Sequence, residues 1–480
     1  MKIELGKEAV SAEEIARSCK GRIIRGGSAS VPVSSVSTDS RDACPGSLFL
    51  AIPGAKTDGH LYISAAAAAG ASAVLCEREP EGDTGNTAVI LTDSTVAALG
   101  RFAAKYGRGS CRKRIAVTGS VGKTATKEMT YSVLSASGSS AFRSEGNLNS
   151  VIGMPLSFLS APAGTEYGVF EMGLGQTDEI SAMSRICRPD IAAISVLGNS
   201  HIGNVGSRER LAFEKLSVRD GLSASGRLLL PAGEPLFADA VREDPRAMTF
   251  SVRGKAGIYA ENIMTDGEKT RFDAVCPEYG RQICGLELGV PGIHNVSNSL
   301  VAVASGIILG LDDETIRAGL EAYRPVKLRL QFLDIAGARI VNDCYNASPE
   351  SMKAAFAVLK DLYTERTGEG SAPRRIAVLG DMYELGDRAI DLHREVGMCY
   401  AESGGDYLIT LGRLADAIAV GASERIPEDR IFRFPEISTL DAPAKLLAGL
   451  IRPGDLVLIK ASRAVGAERI AEYLKKTAGE

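Results

Sequence analysis

The segment Ile115-Ala-Val-Thr-Gly-Ser-Val-Gly-Lys-Thr-Ala-Thr-Lys127 constrains the possible folds more than any other stretch of the chain. An apolar run ends at Thr118, a turn bearing Gly119 and Gly122 follows, and Lys123 and Thr124 open a helical pattern. Glycines at those two points let the backbone fold tightly, so that its N–H groups and the positive end of the helix face an anion. Lys123 is placed to reach the β and γ phosphates of a nucleotide, and Thr124 to offer a hydroxyl to Mg²⁺. Thr118, Gly119, Ser120, Val121, Gly122, Lys123, Thr124 and Ala125 are therefore the candidate phosphate-binding residues. The loop is a short form, with Val117 where the longer form has glycine. A chance glycine-rich turn would not be framed by a buried strand and a helix. Gly173-Leu-Gly175, after the next strand, lacks a third glycine and reads as an ordinary tight turn. A phosphate loop implies a nucleoside triphosphate but not a reaction, and leaves kinase, transporter ATPase and ligase open.

The loop sits within an alternation of apolar strands and helical patterns that implies doubly wound parallel sheets. The 480 residues suggest about three domains at roughly 150 each. The basic, glycine-containing stretch Gly107–Arg114 reads as a linker, and a new alternation begins after Pro325. The expected domains are therefore 1–108, 109–325 and 326–480. Short alternating runs between Met248 and Gly289 suggest an antiparallel patch inside the second.

Fifty-five basic residues against 59 acidic ones give a net charge of −4, which argues against a protein held to nucleic acid by bulk charge. Nine cysteines without a CxxC pair argue for reduced thiols in a cytoplasmic protein rather than a disulfide framework or zinc site. The N-terminal segment carries acids early and does not read as a secretory signal. The small-residue run Ile63–Leu75 is too short to span a membrane.

Three further residues suit nucleotide chemistry without proving it singly. Glu171 ends an apolar strand, where ligands gather in open α/β sheets and where a carboxylate can hold Mg²⁺. His201 lies in the turn Gly198-Asn-Ser-His-Ile-Gly203, and Lys215 lies on an expected helix, Ser207–Gly221.

Together the segments are more telling. TGSVGKT, GNLNS at Gly146–Ser150, Glu171, His201, Lys215, GIHNVSN at Gly292–Asn298 and Arg329 resemble the Mur ligase family, over nearly the whole chain. These are ATP-dependent amide ligases of peptidoglycan precursor synthesis, with roles in cell shape and division. Three segments narrow the resemblance: STDSR with PGSLFLAIPG and DGH (Ser37–His60), NDCYNASPESMKAA (Asn342–Ala355) and VLGDMYELGDRAIDLHREVG (Val378–Gly397). They are similar to the branch that joins D-alanyl-D-alanine to UDP-N-acetylmuramoyl-tripeptide. The C-terminal IKASRAVGAERI is similar to the family's KGSR segment. The chain departs from the family pattern at Gly173-Leu-Gly175, Ser150, Asn342, Ser348 and Leu216.

The resemblance implies an α/β fold of three domains: a small N-terminal α/β domain for the UDP-precursor, a central P-loop ATPase domain with a mainly parallel sheet, and a Rossmann-like C-terminal domain for the dipeptide. It implies that ATP converts the tripeptide carboxylate to an acyl phosphate, which the dipeptide amine then attacks. Lys123, Glu171, His201, Lys215 and Arg329 would carry the chemistry. Of two Mg²⁺ ions, one would be held by Thr124 and Glu171 and the other by His201, with Lys215 carbamylated beside them. His294, Asn295 and Asn298 would face the adenine side, Arg329 the phosphates, and Asp343, Tyr345 and Asn346 the cleft. Asp39, Ser40, Arg41 and Gly46 would hold the UDP end, Asn147 and Asn149 the sugar or pyrophosphate, and Lys460 and Arg463 the dipeptide carboxylate. The family precedent is a monomer that binds neither nucleic acid nor membrane. Two alternatives stay open: the sister branch that adds the third amino acid, whose Asp-Asn-Pro-Arg motif is absent here, and a non-catalytic ATP-binding homologue.

Overall fold

The computed structural model describes residues 1–26, 30–54, 57–200, 202–266, 268–366 and 373–479. Among them, strands form three large sheets and one two-stranded ribbon.

The first sheet has six strands in the order Lys2–Glu4, Ser35–Ser37, Ser47–Leu50, Ala73–Cys76, Ala88–Leu91 and Arg22–Arg25. Its four inner strands are parallel and both edge strands antiparallel. The inner strands are short and almost wholly buried, as expected where both faces are covered.

The central sheet has nine strands, in the order Ala141–Arg143, Thr165–Glu171, Cys111–Thr118, Ile191–Ile194, Arg227–Pro231, Ala247–Ser251, Ile258–Asp266, Lys269–Cys276 and Arg281–Leu288. All adjacent pairs up to Ile258–Asp266 are parallel, and the last two pairs are antiparallel. The expected antiparallel patch is thus an extension of the parallel sheet. The third sheet runs Gln331–Ile335, Ala338–Asn342, Leu456–Lys460, Arg375–Gly380, Tyr407–Leu411 and Ile431–Phe434, antiparallel only in its first pair.

Of the basic stretch read as a linker, residues 107–110 form a turn and residues 111–114 are the start of a strand. Cys111–Thr118 begins with Arg112 exposed and becomes fully buried from Ile115 onward. Its charged half emerges from beneath the covering helices, so composition there reflects the sheet's end rather than a hinge. The first two sheets also share packing. Ala98, Leu99 and Phe102 of the helix Thr95–Tyr106 belong to the same continuous core as Phe158, Phe170 and Met183. The rings of Phe158 and Phe170 meet edge to face at 5.2 Å. Each buried ring contributes roughly 2–3 kcal/mol to this core, and the helix Thr95–Tyr106, packed into it from the first lobe, holds the first two lobes as one body. The third sheet has its own two cores.

The helix Lys123–Ser135 follows the phosphate-loop strand and packs under Ile293–Ile308. Two glycines make the connection possible. Gly119 has φ 144° and Gly122 φ 84°. A Cβ on Gly119 would lie 2.1 Å from Ser195 Oγ, and one on Gly122 would lie 2.5 Å from Asn298 Oδ1.

Candidate active site

The site forms where two parallel strands end on the same edge of the central sheet. Glu171 pairs in register with Val117, so its carboxylate arrives beside the phosphate loop. The loop is clamped from the neighbouring strand: Ser120 N donates to Val196 O at 2.7 Å, and Ser195 Oγ to Val121 O at 2.6 Å. Thr118 Oγ1 donates to Met172 O at 2.7 Å, tying the loop's first residue to the Glu171 strand.

Glu171 is 3% exposed. Its Oε2 accepts from Thr124 Oγ1 at 2.9 Å and its Oε1 from Asn149 Nδ2 at 2.8 Å. The Lys127 ammonium, 1% exposed, lies 4.0 Å from the same carboxylate, 2.9 Å from Glu128 and 2.7 Å from Ser144 O. A carboxylate buried this deeply needs such company, because an unpaired buried charge is costly. Lys123 Nζ donates to Gly119 O at 2.9 Å and Ser120 O at 3.2 Å, folding over the loop it would share with phosphate oxygens. Although its surface is only partly covered, enclosure by the loop lowers its pKa, Arg329 adds to the effect, and Glu171 and Glu384 oppose it.

Arg329 comes from beyond the central sheet. Its Nη2 donates to Thr124 Oγ1 at 2.8 Å, and its guanidinium stacks 4.0 Å from the centre of the Tyr345 ring. Both neighbours, Leu328 and Leu330, adopt positive φ (65° and 44°), an arrangement that costs on the order of 1–3 kcal/mol per non-glycine residue. That turn is held by Leu330 N donating to Asp343 Oδ1 at 3.1 Å and by Tyr345 N donating to Leu328 O at 3.1 Å.

Lys215 is on the helix Arg208–Leu216, with the expected helix continuing as the 3₁₀ segment Ser217–Gly221. It is fully buried, and its Nζ has no hydrogen-bond partner. Desolvation holds the amine well below its ordinary pKa, nearby Lys123 pushes the same way, and Glu214 and Glu171 oppose. Burial therefore favours the uncharged form of this amine, which has no hydrogen-bond partner. His201 lies outside the described residues. The loop around it is gripped by the third lobe: Asn199 N and Nδ2 donate to Glu350 Oε1 at 2.8 and 2.7 Å, and Gly203 N to Glu384 O at 3.2 Å.

One cleft gathers many of the remaining candidates. Ser120 to Ala125, His294, Asn295, Asn298, Arg329, Asp343, Asn346 and Lys460 all line it. Asn298 Oδ1 accepts from Thr126 Oγ1 at 3.2 Å, so it braces the phosphate-loop helix from behind. Asn295 Nδ2 donates to Pro291 O at 2.7 Å. His294 is half-buried by exposure yet crowded by protein, and desolvation pushes its pKa down to about 4 despite Asp343 nearby. Lys460, expected at the dipeptide, also lines this cleft. Its ammonium, 2% exposed, is engaged by the Asp343 carboxylate, with Asn346 O at 3.0 Å and Asp343 O at 3.4 Å. Arg463 is exposed and paired with Glu468 at 2.7 Å.

The residues expected at the UDP end lie in the first lobe. Asp39 accepts from Arg41 N at 3.0 Å and pairs with its guanidinium, which is 86% exposed. Ser40 opens the 3₁₀ turn Ser40–Asp42, and Gly46 has φ 83° with its N–H donated to Ser72 Oγ at 2.9 Å. Asn147 is exposed, whereas Asn149 is spent on Glu171. Lys127, Glu350 and Ser195 were not singled out from sequence. Lys127 stands one helical turn after Lys123, which is the only local signal among the three.

A metal would find suitable donors. Among the described residues no three carboxylate, imidazole or thiolate groups form a cage. Mg²⁺ is commonly held by one or two protein groups with substrate phosphates completing its shell, so the Thr124 hydroxyl and Glu171 carboxylate, already 2.9 Å apart, fit that pattern.

A phosphate loop on a parallel sheet, a buried strand-end acid beside it and an arginine delivered from another lobe define a multidomain enzyme that works on nucleoside triphosphate. Three family descriptions match successive parts of the chain: Mur ligase family, catalytic domain, at residues 32–106; Mur ligase middle domain, at 117–306; and Mur ligase, glutamate ligase domain, at 328–463. The chain belongs to the Mur ligase family. It is 34% identical to the UDP-N-acetylmuramoyl-tripeptide–D-alanyl-D-alanine ligase of Bacillus subtilis, covering 97% of this chain and 98% of that one. The ligase of the same name from Treponema pallidum is 31% identical, with 98% of each chain covered. Among solved structures, MurF from Acinetobacter baumannii superposes with a TM-score of 0.84 at 28% identity, covering 98% of this chain and all of that one. MurF from Thermotoga maritima in complex with ADP gives 0.80 at 25% identity, covering 92% and 97%.

Proposed function

We propose that this chain is the ATP-dependent ligase that joins D-alanyl-D-alanine to UDP-N-acetylmuramoyl-tripeptide. The observation that carries this reading is the end-to-end likeness to ligases of that name, in a chain whose phosphate loop, Glu171, Lys215 and Arg329 stand in one site. The reaction would convert the tripeptide carboxylate to an acyl phosphate with release of ADP, after which the dipeptide amine would displace phosphate.

The main physical obstacle is bringing a carboxylate anion to a triphosphate. Lys123 and the loop N–H groups offset that repulsion at the β and γ phosphates, and Arg329 adds positive charge from the third lobe. Thr124 and Glu171 would hold one Mg²⁺ and His201 would contribute to a second; when bound, these ions would neutralise charge developing on the transferred phosphoryl group. The buried, partnerless Lys215 amine would, in its uncharged form, add to CO₂ and lose a proton to give a carbamate. That change would turn a cation beside the site into an anion that orients a metal. His294 and Asn295 would contact the adenine side, with Asn298 bracing the loop. Asp343, Tyr345 and Asn346 would line the closed cleft. Asp39, Ser40, Arg41, Gly46 and Asn147 would serve the UDP-sugar, and Arg463 the dipeptide. Closure of the third lobe would exclude the water that hydrolyses an acyl phosphate.

The divisions 1–108, 109–325 and 326–480 would serve precursor, nucleotide and dipeptide in turn. We assign the enzyme to the cytoplasm as a monomer, in agreement with nine free thiols and with no helix of the described residues long and apolar enough to cross a membrane. By this reading it supports cell-wall growth, shape and division.

The test is ligation by the purified chain with ATP, Mg²⁺, UDP-N-acetylmuramoyl-tripeptide and D-alanyl-D-alanine, read by phosphate release and product mass. Absence of phosphate release would overturn the reading. So would product from UDP-N-acetylmuramoyl-dipeptide and a single diamino acid.

A further inference from the structure

A second cleft, of about 770 Å³, lies at the opposite end of the phosphate-loop strand, between the first two lobes. The C-terminal ends of three helices meet there: Ala12–Cys19, Thr95–Tyr106 and Glu179–Cys187. Among the described residues, its wall contains no acidic and no aromatic side chain. It does contain Lys20, Lys105, Arg108, Arg114 and Arg188, whose side chains make no ion pair or hydrogen bond among the described residues. Three further arginines there are each paired with an acid outside the cleft.

Helix ends explain part of this charge. Lys20 and Arg188 cap two of the helices with φ 59° and 50°, and a cation complements the carbonyl end of a helix. Three such ends supply only about −1.5 charges in all against five unpaired cations, leaving a surplus of roughly 3.5 positive charges. Arg114 Nε and Ser223 Oγ, both at the cleft, are also buried without an acceptor. The surplus is local, since the chain as a whole carries −4. Self-repelling cations around orphaned donors await an anion rich in oxygen acceptors.

We propose that this cleft binds a small oligophosphate anion through its phosphate chain. The lack of any aromatic surface argues against stacked bases and hence against single-stranded nucleic acid. The site is separate from the phosphate loop: Arg112 and Thr118 are six residues apart on an extended strand, a span of about 20 Å.

The test is titration calorimetry of the full chain with inorganic tripolyphosphate at fixed ionic strength. It uses a Lys123→Ala background that weakens the phosphate loop's own grip. The expected result is one saturable site whose affinity falls about tenfold or more on adding Arg108→Gln with Arg188→Gln, both exposed positions, and likewise on adding Arg114→Gln. Melting curves matching the background would show that the variants fold. No saturable binding in the Lys123→Ala chain would overturn the proposal, as would an affinity indifferent to the Arg108→Gln and Arg188→Gln pair.

Discussion

Arg329 and Thr124 are 205 residues apart in the chain, yet Arg329 Nη2 donates to Thr124 Oγ1 at 2.8 Å. The same hydroxyl donates to Glu171, so one short chain of hydrogen bonds runs from the third lobe, through the phosphate loop, to the strand-end acid. The third lobe therefore helps to set the position of the residue that would meet Mg²⁺ and phosphate. Tyr345 stacking and the strained Leu328–Leu330 turn both aim the guanidinium.

Arg329→Lys is expected to lower kcat by about 10²- to 10³-fold, the usual effect of losing one preorganised group that meets developing charge. Lysine keeps the charge but neither stacks on Tyr345 as a plane nor presents a fork of donors. Steady-state phosphate release with saturating substrates measures this. A kcat within threefold of the parent would remove Arg329 from the phosphate site.

Lys215→Ala is expected to abolish most activity, with partial recovery in high bicarbonate or short carboxylic acids that replace the carbamate. Lys215→Met should also be inactive, but more stable than the parent without substrates, by about 1–3 kcal/mol, because it removes a partnerless buried amine. The folded-state pKa is depressed, so between that value and the ordinary 10.5 the unfolded chain binds the extra proton. Parent stability should therefore rise with pH across that window relative to Lys215→Met, as urea midpoints would show. Parallel curves, or full activity in Lys215→Ala, would refute the assignment.

The phosphate loop was legible in the sequence because strand, turn and helix are contiguous and each glycine has a local reason. Glu171 was legible because a strand end is a local feature too. Lys127 and Glu350, and the contact of Asn149 with Glu171, belong to the site through distant partners. Asn149 meets Glu171 across a loop, and Glu350 meets Asn199 from a helix that begins in another lobe. Such pairs depend on sheet order and lobe closure, which spacing does not encode. The stretch before Ile115 misled for the converse reason. Its charges suggested a linker, but they mark where a buried strand leaves the shelter of its helices.

His294 should shape the acid limb of the stability curve. Its folded-state pKa is lowered to about 4 from 6.5, chiefly by desolvation. Between those values the unfolded chain takes up a proton that the folded chain refuses, so stability falls as pH drops from 6.5 toward 4. The whole shift would correspond to about 3 kcal/mol, and partial exposure reduces the expected contribution to roughly 1–2 kcal/mol. His294→Gln should flatten that limb by this amount, measured as urea midpoints at pH 7 and 4.5. Equal pH slopes for the two proteins would show that the imidazole is not desolvated in the folded state.

Glu350 offers a test of lobe coupling that leaves the phosphate loop untouched. Its Oε1 accepts two hydrogen bonds from Asn199, while its Oε2 is buried without a partner. The carboxylate thus holds the loop that precedes His201 from the third lobe. Glu350→Gln keeps one acceptor oxygen and should cost little, whereas Glu350→Ala releases both Asn199 donors. Two lost hydrogen bonds to a charged group, at about 1.5–3 kcal/mol each, predict at least a tenfold fall in kcat/KM for Glu350→Ala. Small-angle scattering should show a larger radius of gyration for that variant, as the third lobe loses one of its holds on the central one. Unchanged scattering together with unchanged kcat/KM would mean that Arg329 and the Gly203–Glu384 contact hold the lobes without Glu350.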